Sequence, residues 1–483
     1  MAESVNYQCP NCMGPLRFDG AKQMLVCDHC DSVFTPDQVK TYYEAKQQAA
    51  DVKAQQAAQK EEAGQLSDYE KMATAGGASA NVTEASVDAA AEQSKQAQTP
   101  IDAYLQRASW NDQERAGMRT YTCSSCGAQL TVDVTTAIEE CPYCGNQAMA
   151  PGTFAGGAKP DLIIPFKLDK AAAEQALTNY YKGKKFLPKE FAEANRIAHV
   201  QGVYVPFWLY DGTAEGSGTF EGRNLTVWRE GDFEVTKTDV YRIYRAGTSS
   251  FTRIPADGSA KMPDGHMDAI EPFDYMELKE FSTAYLPGYS AERYDQDAEE
   301  CSDRANKRMT NTMGAQLRSS VCGYQQVNTT NISATAKIEK TQQALFPVWM
   351  LHTRWEDDDY LFAMNGQSGR LVGDLPVSKP KVVAWFLGIL VVVAALCIAL
   401  DVFALHLHDT TSQVILYTLP ALAIAIFTCW FFYSQMKTAK EQDSAFRYVD
   451  NDGFDLTASR DQFVNSFVTR RRVQTNPPPD RRP

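Results

Sequence analysis

The sequence has a deficit of basic residues and no segment that resembles an export signal. Its 483 residues include 47 Lys and Arg against 60 Asp and Glu, a formal net charge of −13. A chain this acidic repels nucleic acid unless a local basic surface overrides the overall field. The residues ahead of Cys9 contain no basic segment followed by an apolar run, so neither a signal peptide nor an N-terminal anchor is expected. The N-terminal region is therefore expected in the cytosol.

Motifs for nucleotide-driven or nucleophilic chemistry are also missing. No G-x-x-x-x-G-K-[ST] phosphate loop occurs in the sequence. His199, His266 and His352 are scattered, and no nucleophile motif accompanies them. Isolated histidines are more often packed or surface residues than catalysts. We therefore predict that the protein is not an enzyme.

Cysteine is the residue type with the clearest pattern. Eight of the twelve cysteines form four Cys-x-x-Cys pairs, and fourteen residues separate Cys12 from Cys27, as they do Cys126 from Cys141. This spacing is close to that of four-cysteine zinc ribbons. The sequence thus predicts two structural zinc ions, one held by Cys9, Cys12, Cys27 and Cys30 and the other by Cys123, Cys126, Cys141 and Cys144.

Four thiolates suit a tetrahedral zinc ion, and the two residues between paired cysteines form a tight turn. Gly127 and Gly145 follow the second cysteine of their pairs, where a positive φ is useful, whereas Met13 and Asp31 make the first ribbon less regular. Disulfides conflict with a reducing cytosol. Iron also accepts thiolate ligands, so the ligands alone leave an iron site open. A catalytic zinc is disfavoured because four thiolates fill its coordination positions and leave none for a water. His29 is a competing ligand in principle, although a solvent-facing position is the simpler interpretation.

Two long uncharged runs lie near the C-terminal end, at residues 382–400 and 414–433. At about 1.5 Å per residue each is long enough to cross a hydrocarbon core of roughly 30 Å. Lys379, Lys381, Lys437 and Lys440 flank the pair, whereas the connection between the runs has no Lys or Arg. The positive-inside bias then places both flanks in the cytoplasm. The alternative is a pair of buried core helices.

The fold class expected from these features is multidomain, with two small β zinc ribbons, an α+β, β-rich cytosolic domain and a two-helix transmembrane hairpin. An Ala- and Gln-rich linker predicts that the two ribbons are independent of each other. The domain division is ribbon 1 at residues 1–35, a helical and flexible linker at 36–118, ribbon 2 at 119–150, the central domain at 151–378, the hairpin at 382–433 and a cytosolic tail at 434–483.

Within the central domain, Asp169 is expected to cap a helix that runs to about Lys182. The string from Pro206 to Leu209 echoes that from Pro347 to Met350, which leaves two related halves and coincidence both open. The aromatic residues of these strings are interpreted as core rather than as a ligand cage. The Arg470 to Arg472 cluster of the tail could contact anionic lipid or simply be solvated.

The two ribbons, the strand from Val203 to Trp208 and the string from Phe362 to Pro376 together resemble a known group. They are similar to bacterial membrane proteins called transcription-factor-IIB-type, or primosomal-helicase-like, zinc-ribbon proteins. The resemblance covers roughly residues 120 to 433, and the string Asn-Gly-Gln-Ser-Gly at residues 365–369 is its most specific part. It implies a multi-pass protein of the bacterial cell membrane, associated with SPFH-domain proteins and phage-shock-type envelope-stress responses.

The function predicted from the sequence is an adaptor that recruits proteins to the inner membrane, with both termini in the cytoplasm. Its expected partners are the lipid bilayer and cytosolic or membrane-associated proteins, and an oligomer is compatible with this interpretation. The alternative is a membrane-tethered nucleic-acid binder. That alternative is disfavoured because ribbon 1 has only Arg17 and Lys22 between its outer cysteines and ribbon 2 has no basic residue there.

Overall fold

The computed structural model describes residues 8–46, 48–49, 52, 55, 110, 112–134, 136–154, 159–194, 199–356, 358–400, 402 and 410–472. The chain divides into two compact units. Unit 1 comprises Met1–Pro206, Lys261–Arg293 and Ala344–Ala439. Unit 2 comprises Phe207–Ala260, Tyr294–Gln343 and Lys440–Pro483.

Unit 1 begins with a small three-stranded sheet that carries the first two cysteine pairs. Its strands are β1 (Leu16–Asp19), β2 (Met24–Cys27) and β3 (Val33–Phe34), and β2 pairs antiparallel with both neighbours. The turn that begins at Asp19 and Gly20 joins β1 to β2. A helix, α1, follows at residues 36–46 and buries Val39 and Tyr43. The helical start of the linker therefore packs two side chains into the buried cluster of unit 1.

The second pair of knuckles sits in the main sheet of unit 1. Helix α2 (Asp112–Ala116) leads into β4 (Met118–Cys123), β5 (Gln129–Asp133) and β6 (Met149–Thr153), and β4 pairs antiparallel with both others. Strand β5 also pairs with β11 (Ser290–Glu292), through Thr131 opposite Ala291. Ribbon 2 is thereby an extension of the sheet rather than a separate module.

The rest of unit 1 completes this sheet and covers it with short helices. In the order of adjacent strands, the path is β10 (Lys279–Glu280), β7 (Leu162–Ile163), β12 (Gln326–Trp355), β8 (Gln201–Glu230), β11, β5, β4 and β6. Helix α3 begins after Asp169, whose carboxylate accepts a hydrogen bond from the Ala172 N–H at 2.8 Å, as predicted. Unit 1 also contains α3 (Lys170–Tyr181), α4 (Lys189–Ala194), α5 (Asp264–Ile270), β13 (Asp358–Asn365) and β14 (Leu371–Gly373).

Unit 1 ends in two long apolar helices, α7 (Lys379–Leu400) and α8 (Thr410–Ser434). Both contain a stretch long and apolar enough to cross a membrane, at Lys379–Leu400 with mean hydropathy 2.9 and at Tyr417–Ser434 with mean hydropathy 1.4. The first stretch has none of its residues buried, and the second has 11%. The alternative of two core helices, buried inside a soluble domain, does not fit this exposure. The predicted connection between the runs lies mostly outside the described residues.

Unit 2 is built on very long strands. Residues 207–230 of β8 (Gln201–Glu230) pair antiparallel with β9 (Phe233–Asp257), and β9 pairs in turn with β15 (Val449–Arg472). The first part of β12 (Gln326–Trp355) also belongs to this unit. Helix α6 (Ala298–Ser319) starts with a capping box at Asp297 and Glu300, and it buries Met309, Met313 and Leu317. The tail at 434–483 was predicted without a strand, so β15 is a feature that the sequence analysis missed.

The prediction that the two ribbons are independent of each other is wrong, because both belong to unit 1. Ribbon 1 also shares its core with the body of that unit. Its Phe18 and Leu25 belong to the same buried cluster as Phe166, Tyr285 and Trp349 of the unit 1 body. A ribbon of this size cannot bury enough apolar surface by itself, so it shares the larger core. Most of the linker that suggested independence lies outside the described residues.

Candidate metal centres

The two predicted sets of cysteines come together as two separate groups. In each group the four sulfur atoms lie within 4.8 Å of one another. The closest pairs are Cys9 with Cys30 and Cys12 with Cys27, both 3.5 Å between sulfurs in the first group, and Cys123 with Cys144 and Cys126 with Cys141, both 3.6 Å in the second. Zn–S bonds of about 2.3 Å in a tetrahedron place sulfurs about 3.8 Å apart. Each group can therefore hold one metal ion.

All four knuckles have the same backbone turn. The residue directly after the second cysteine has a positive φ in every case: 61° at Met13, 55° at Asp31, 72° at Gly127 and 66° at Gly145. In the second ribbon these residues donate their N–H to the carbonyls of Cys123 and Cys141. The prediction for the two glycines is confirmed. Ribbon 1 forms the same turn at Met13 and Asp31, whose side chains make a positive φ sterically unfavourable.

Burial alternates within the pairs. The first cysteine of every pair is buried, whereas the second is exposed in ribbon 1 and half-buried in ribbon 2. The backbone N–H groups of Asn11 and His29 lie 3.4 Å from the sulfurs of Cys9 and Cys27, and such contacts stabilise negative charge on sulfur. Each group is thus anchored on the inside and open to solvent at one edge.

The thiols of each group cannot all ionise together without a cation. In ribbon 1 the Ser32 hydroxyl, 3.1 Å from the Cys30 sulfur, and the Ser32 backbone lower the pKa of Cys30 to about 6. The Gly14 backbone favours the thiolate of Cys12, but its sulfur neighbours and burial raise the pKa of Cys12 to about 12. In ribbon 2 burial raises the pKa of Cys126 to about 11. A bound dication would supply the missing positive charge.

The competing interpretations of these cysteines fit less well. The sulfur separations of 3.5 and 3.6 Å are far from the roughly 2.05 Å of a disulfide, and all twelve cysteines are free. His29 is exposed and is not part of the first group. Of the cysteines outside the two groups, Cys301 is buried and Cys322 is exposed.

The two basic residues of ribbon 1 both lie beside carboxylates. Arg17 Nε is 3.6 Å from an oxygen of Asp28, and Lys22 Nζ is 3.4 Å from an oxygen of Asp19. Apolar side chains of the same ribbon and its helix are exposed instead, with exposed fractions of 51% for Met13, 42% for Val33 and 40% for Tyr42. Ribbon 1 and its helix therefore expose three large apolar side chains, and each basic residue of the ribbon has a carboxylate neighbour.

Ribbon 1 is fixed to the body by close contacts around Gly20. The Phe18 N–H donates to the Pro287 carbonyl at 3.1 Å, and Gln23 Nε2 donates to the Phe166 carbonyl at 2.6 Å. The ring of Phe18 packs edge-on against Tyr285, with centroids 5.3 Å apart. A Cβ on Gly20 would come within 2.7 Å of the Phe166 carbonyl oxygen, so only glycine allows this approach.

Ribbon 2 contacts the β12–β13 hairpin at one of its knuckles. A Cβ on Gly145 would lie 2.8 Å from Nδ1 of His352, whose Nε2 is 3.2 Å from a carboxylate oxygen of Asp359. His199 Nδ1 is 3.3 Å from a carboxylate oxygen of Glu140, the residue before Cys141. These histidines support the ribbon rather than assemble as a third group. Among the described residues, the two cysteine groups are the sets that could hold a metal.

The strings singled out in the central domain are structural. Phe207, Trp208 and Trp349 are nearly fully buried, which confirms that they are core residues. Asn365 accepts hydrogen bonds from the N–H groups of Gln367 and Ser368, and its amide donates to the carbonyls of Ile270 and Pro272. The most specific part of the resemblance is therefore a turn that ties the β13–β14 hairpin to the segment after α5.

The base of the apolar helix pair is held by the body of unit 1, which the sequence analysis did not predict. Lys381 Nζ and Lys184 Nζ each donate to a backbone carbonyl, those of Leu187 and Gln435, at 2.6 Å. Phe186 packs against Phe432 with ring centroids 5.8 Å apart. These long-range contacts hold the start of α7 and the end of α8, the two helix ends predicted to face the cytosol, against the body of unit 1. Only the abundance of lysine in this part of the sequence could have suggested them.

Fold and sites together define a multidomain protein with two zinc-ribbon-like four-cysteine sites, a β-rich body and two apolar helices long enough to span a membrane. No family model and no solved structure matches the chain. The uncharacterized protein YdjG of Bacillus subtilis (strain 168) is 36% identical over 319 residues, an alignment that covers 56% of this chain and 94% of YdjG. The chain therefore belongs to the same family as YdjG.

Proposed function

We propose that the protein is a zinc-ribbon adaptor of the bacterial inner membrane, which displays its ribbons on the cytoplasmic side and recruits protein partners there. Two structural zinc ions hold the ribbons, and helices α7 and α8 anchor the chain. The observation that carries this proposal is the exposure of three large apolar side chains, those of Met13, Val33 and Tyr42, on a ribbon whose metal site is structural. These three side chains are hereafter called the ribbon 1 surface.

The ribbon 1 surface favours a protein partner over nucleic acid. Nucleic-acid binders depend on basic side chains that are free to meet phosphates. Arg17 and Lys22 instead lie near Asp28 and Asp19, and the chain as a whole has a net charge of −13. Exposed apolar side chains rimmed by polar groups are typical of protein interaction sites.

The attachment of the apolar helices supports a common side for the anchor and the ribbons. Lys379, Lys381 and Lys437 lie at the base of the helix pair, and lysines at helix ends mark the cytoplasmic face. Lys184 and Lys185 of the body lie at the same base, with Lys185 Nζ 5.8 Å from the centre of the Trp385 ring. Ribbon 1 shares its core with this body, so it stays on that side.

The partner class follows from the resemblance to envelope-stress zinc-ribbon proteins. We propose a membrane-associated partner of the SPFH-domain or phage-shock type. An enzymatic role would require convergent titratable groups, and the proposal assigns none.

The proposal is tested by chemical crosslinking in membranes followed by purification of the intact, detergent-extracted protein. Met13→Asp combined with Val33→Asp should abolish capture of the specific protein partner, because a charge on the ribbon 1 surface opposes burial. Asp tolerates a positive φ, so the knuckle at position 13 should survive. Met276→Asp is the matched control, since Met276 is a 91% exposed apolar residue of the same unit.

Two outcomes would contradict the adaptor role. One is copurification of nucleic acid with a steep salt dependence and without a protein partner. The other is an unchanged set of partners in the Met13→Asp, Val33→Asp protein.

Metal analysis of the same preparations checks the zinc assignment, and two zinc ions per chain are expected. Cys12→Ser and Cys30→Ser change ligands of the first site, and Cys322→Ser, at a cysteine outside both groups, serves as their control.

A further inference from the structure

Strand β15 forms an edge of the sheet in unit 2. Within the described residues it pairs only with β9, from Val449 opposite Phe251 to Arg472 opposite Phe233. It has 24 residues, whereas most strands have about 3 to 10. A free edge presents a row of backbone N–H and C=O groups that can pair with another strand. From Asn465 to Arg472 its pairing with β9 is regular, so the free edge there is regular too.

The outer part of β15 is exposed on both faces. Every residue from 459 to 472 is exposed, and this segment includes apolar side chains with exposed fractions of 53% for Phe463, 45% for Phe467 and 53% for Val468. Alternate residues of a strand point to opposite faces, so Phe467 and Val468 expose apolar surface on both. The strand contains neither Pro nor Lys, two residues that natural edge strands use to prevent pairing.

The charges of β15 are separated along its length. The first half, residues 449–461, contains four aspartates and one arginine, whereas residues 462–472 contain no acidic residue and three arginines, Arg470, Arg471 and Arg472. Two copies of this strand placed antiparallel bring each acidic half opposite a basic half. A parallel arrangement brings like charges together, which destabilises a strand pair. The strand is therefore complementary to itself in one direction only.

We propose that β15 is a homodimer interface, in which the same strand of a second copy adds antiparallel to the free edge and joins the two sheets. The occupant is a second copy of this chain because the complement of the acidic half lies within the strand itself. An antiparallel pair of identical strands is twofold symmetric, so the assembly closes as a dimer instead of growing into a filament. Phe463, whose ring lies 5.5 Å from that of Tyr241 in β9, continues a row of aromatic side chains toward the new strand.

The test uses two charge-reversal variants of the full-length, detergent-extracted protein. The acidic variant carries Arg471→Glu and Arg472→Glu, and the basic variant carries Asp450→Arg and Asp455→Arg. The four positions are exposed, and neither variant touches the metal sites. Light scattering after size exclusion gives the mass of the protein part over a range of concentrations.

Wild-type protein should be a dimer, and each variant alone should dissociate with a dissociation constant raised at least about tenfold, because both halves then carry the same sign. An equimolar mixture of the two variants should form a heterodimer, since the opposite charges again face each other at both ends. A monomeric wild type, variants that dimerise as tightly as wild type, or a mixture that stays monomeric would each overturn the proposal. Because rescue in the mixture requires both variants to be folded, misfolding cannot mimic it.

A crosslink at the middle of the strand gives a second measurement that needs no charge change at the ends. In a Cys322→Ser background, Arg460→Cys should form a disulfide-linked dimer on mild oxidation, since residues near the strand centre face their own copies. Met276→Cys in the same background should stay monomeric. Equal dimer yields at both positions would count against the proposed interface.

Discussion

Residues directly after the second cysteine of each pair decide how easily a knuckle forms. Gly127 and Gly145 adopt positive φ without strain, whereas Met13 and Asp31 adopt it with a side chain that clashes with the backbone. The left-handed region costs an L-residue about 1–2 kcal/mol, and Asp tolerates it better than most. Both knuckles of ribbon 1 therefore carry a backbone strain that the two knuckles of ribbon 2 avoid.

The two ribbon 2 glycines allow a matched comparison. Gly127→Ala should lower the free energy of unfolding by about 1–2 kcal/mol through its positive φ alone, because nothing lies within 4 Å of the new Cβ. Gly145→Ala should cost more, since the new Cβ would also meet Nδ1 of His352 at 2.8 Å. Chemical denaturation of the metal-loaded proteins measures both. If both substitutions lowered the free energy of unfolding equally, the His352 ring would move away from the new Cβ without a cost in free energy.

His266 should make the stability of unit 1 fall in mild acid. Burial lowers the pKa of His266 from its ordinary value of 6.5, although its contact with the Leu361 carbonyl and the charge of Asp374 oppose this. The unfolded chain then binds the proton first as the pH falls. The stabilisation is full above about pH 6.5 and declines below it, toward the folded pKa, by at most about 1.4 kcal/mol per pH unit. His266→Gln should show a shallower decline of the unfolding free energy between pH 7 and 5, and parallel curves would contradict the assignment.

Among the elements, the first ribbon sheet and helix α1 behave as part of unit 1. Val39 and Tyr43 of α1 are buried, and the Tyr43 hydroxyl donates to the Gln8 carbonyl at 2.9 Å. Phe18 joins this assembly to the body through its ring contact with Tyr285. A partner that binds the ribbon 1 surface is thereby held in a fixed position relative to the apolar helices.

Phe18→Ala should separate docking from metal binding. Removing a ring that is 1% exposed should lower the free energy of unfolding by about 3–5 kcal/mol, whereas Phe446→Ala, at a 52% exposed position, should change it by less than about 0.5 kcal/mol. Metal content should stay at two ions per chain because the cysteine turns are local. Hydrogen exchange should increase in β1 and β2. Unchanged exchange there would mean that Phe18 does not hold the ribbon.

For the whole molecule, the apolar helices should be separable from the rest of the chain. The Leu375 N–H donates to the Met436 carbonyl at 2.9 Å, so the segments on either side of the helix pair already meet. Replacing residues 379–434 with a short Gly-Ser linker should leave unit 1 folded and move the protein from the membrane fraction to the soluble fraction. Fractionation and metal analysis check this. Retention of the variant in carbonate-washed membranes would argue against an anchoring role for α7 and α8.

Long strands account for most of what the sequence analysis missed. Residues 218–254 lie in one hairpin, formed by β8 and β9, whose strands have 30 and 25 residues. Alternation along such strands is obscured where both faces are partly exposed, and the register shifts between β15 and β9 break the period further. Residues 449–472 therefore carried no strand signal that a single sequence could show.

The sequence by itself determined which eight cysteines form the two groups, because a Cys-x-x-Cys turn depends on neighbouring residues only. It likewise determined the two apolar helices, whose length and hydropathy are local properties. Only the tertiary structure decided that ribbon 1 shares a core with the body, that the lysine-rich base of the helices rests on residues 184–187, and that β15 closes against β9. These contacts join residues more than a hundred positions apart, and their free energy comes from burial that no local pattern encodes.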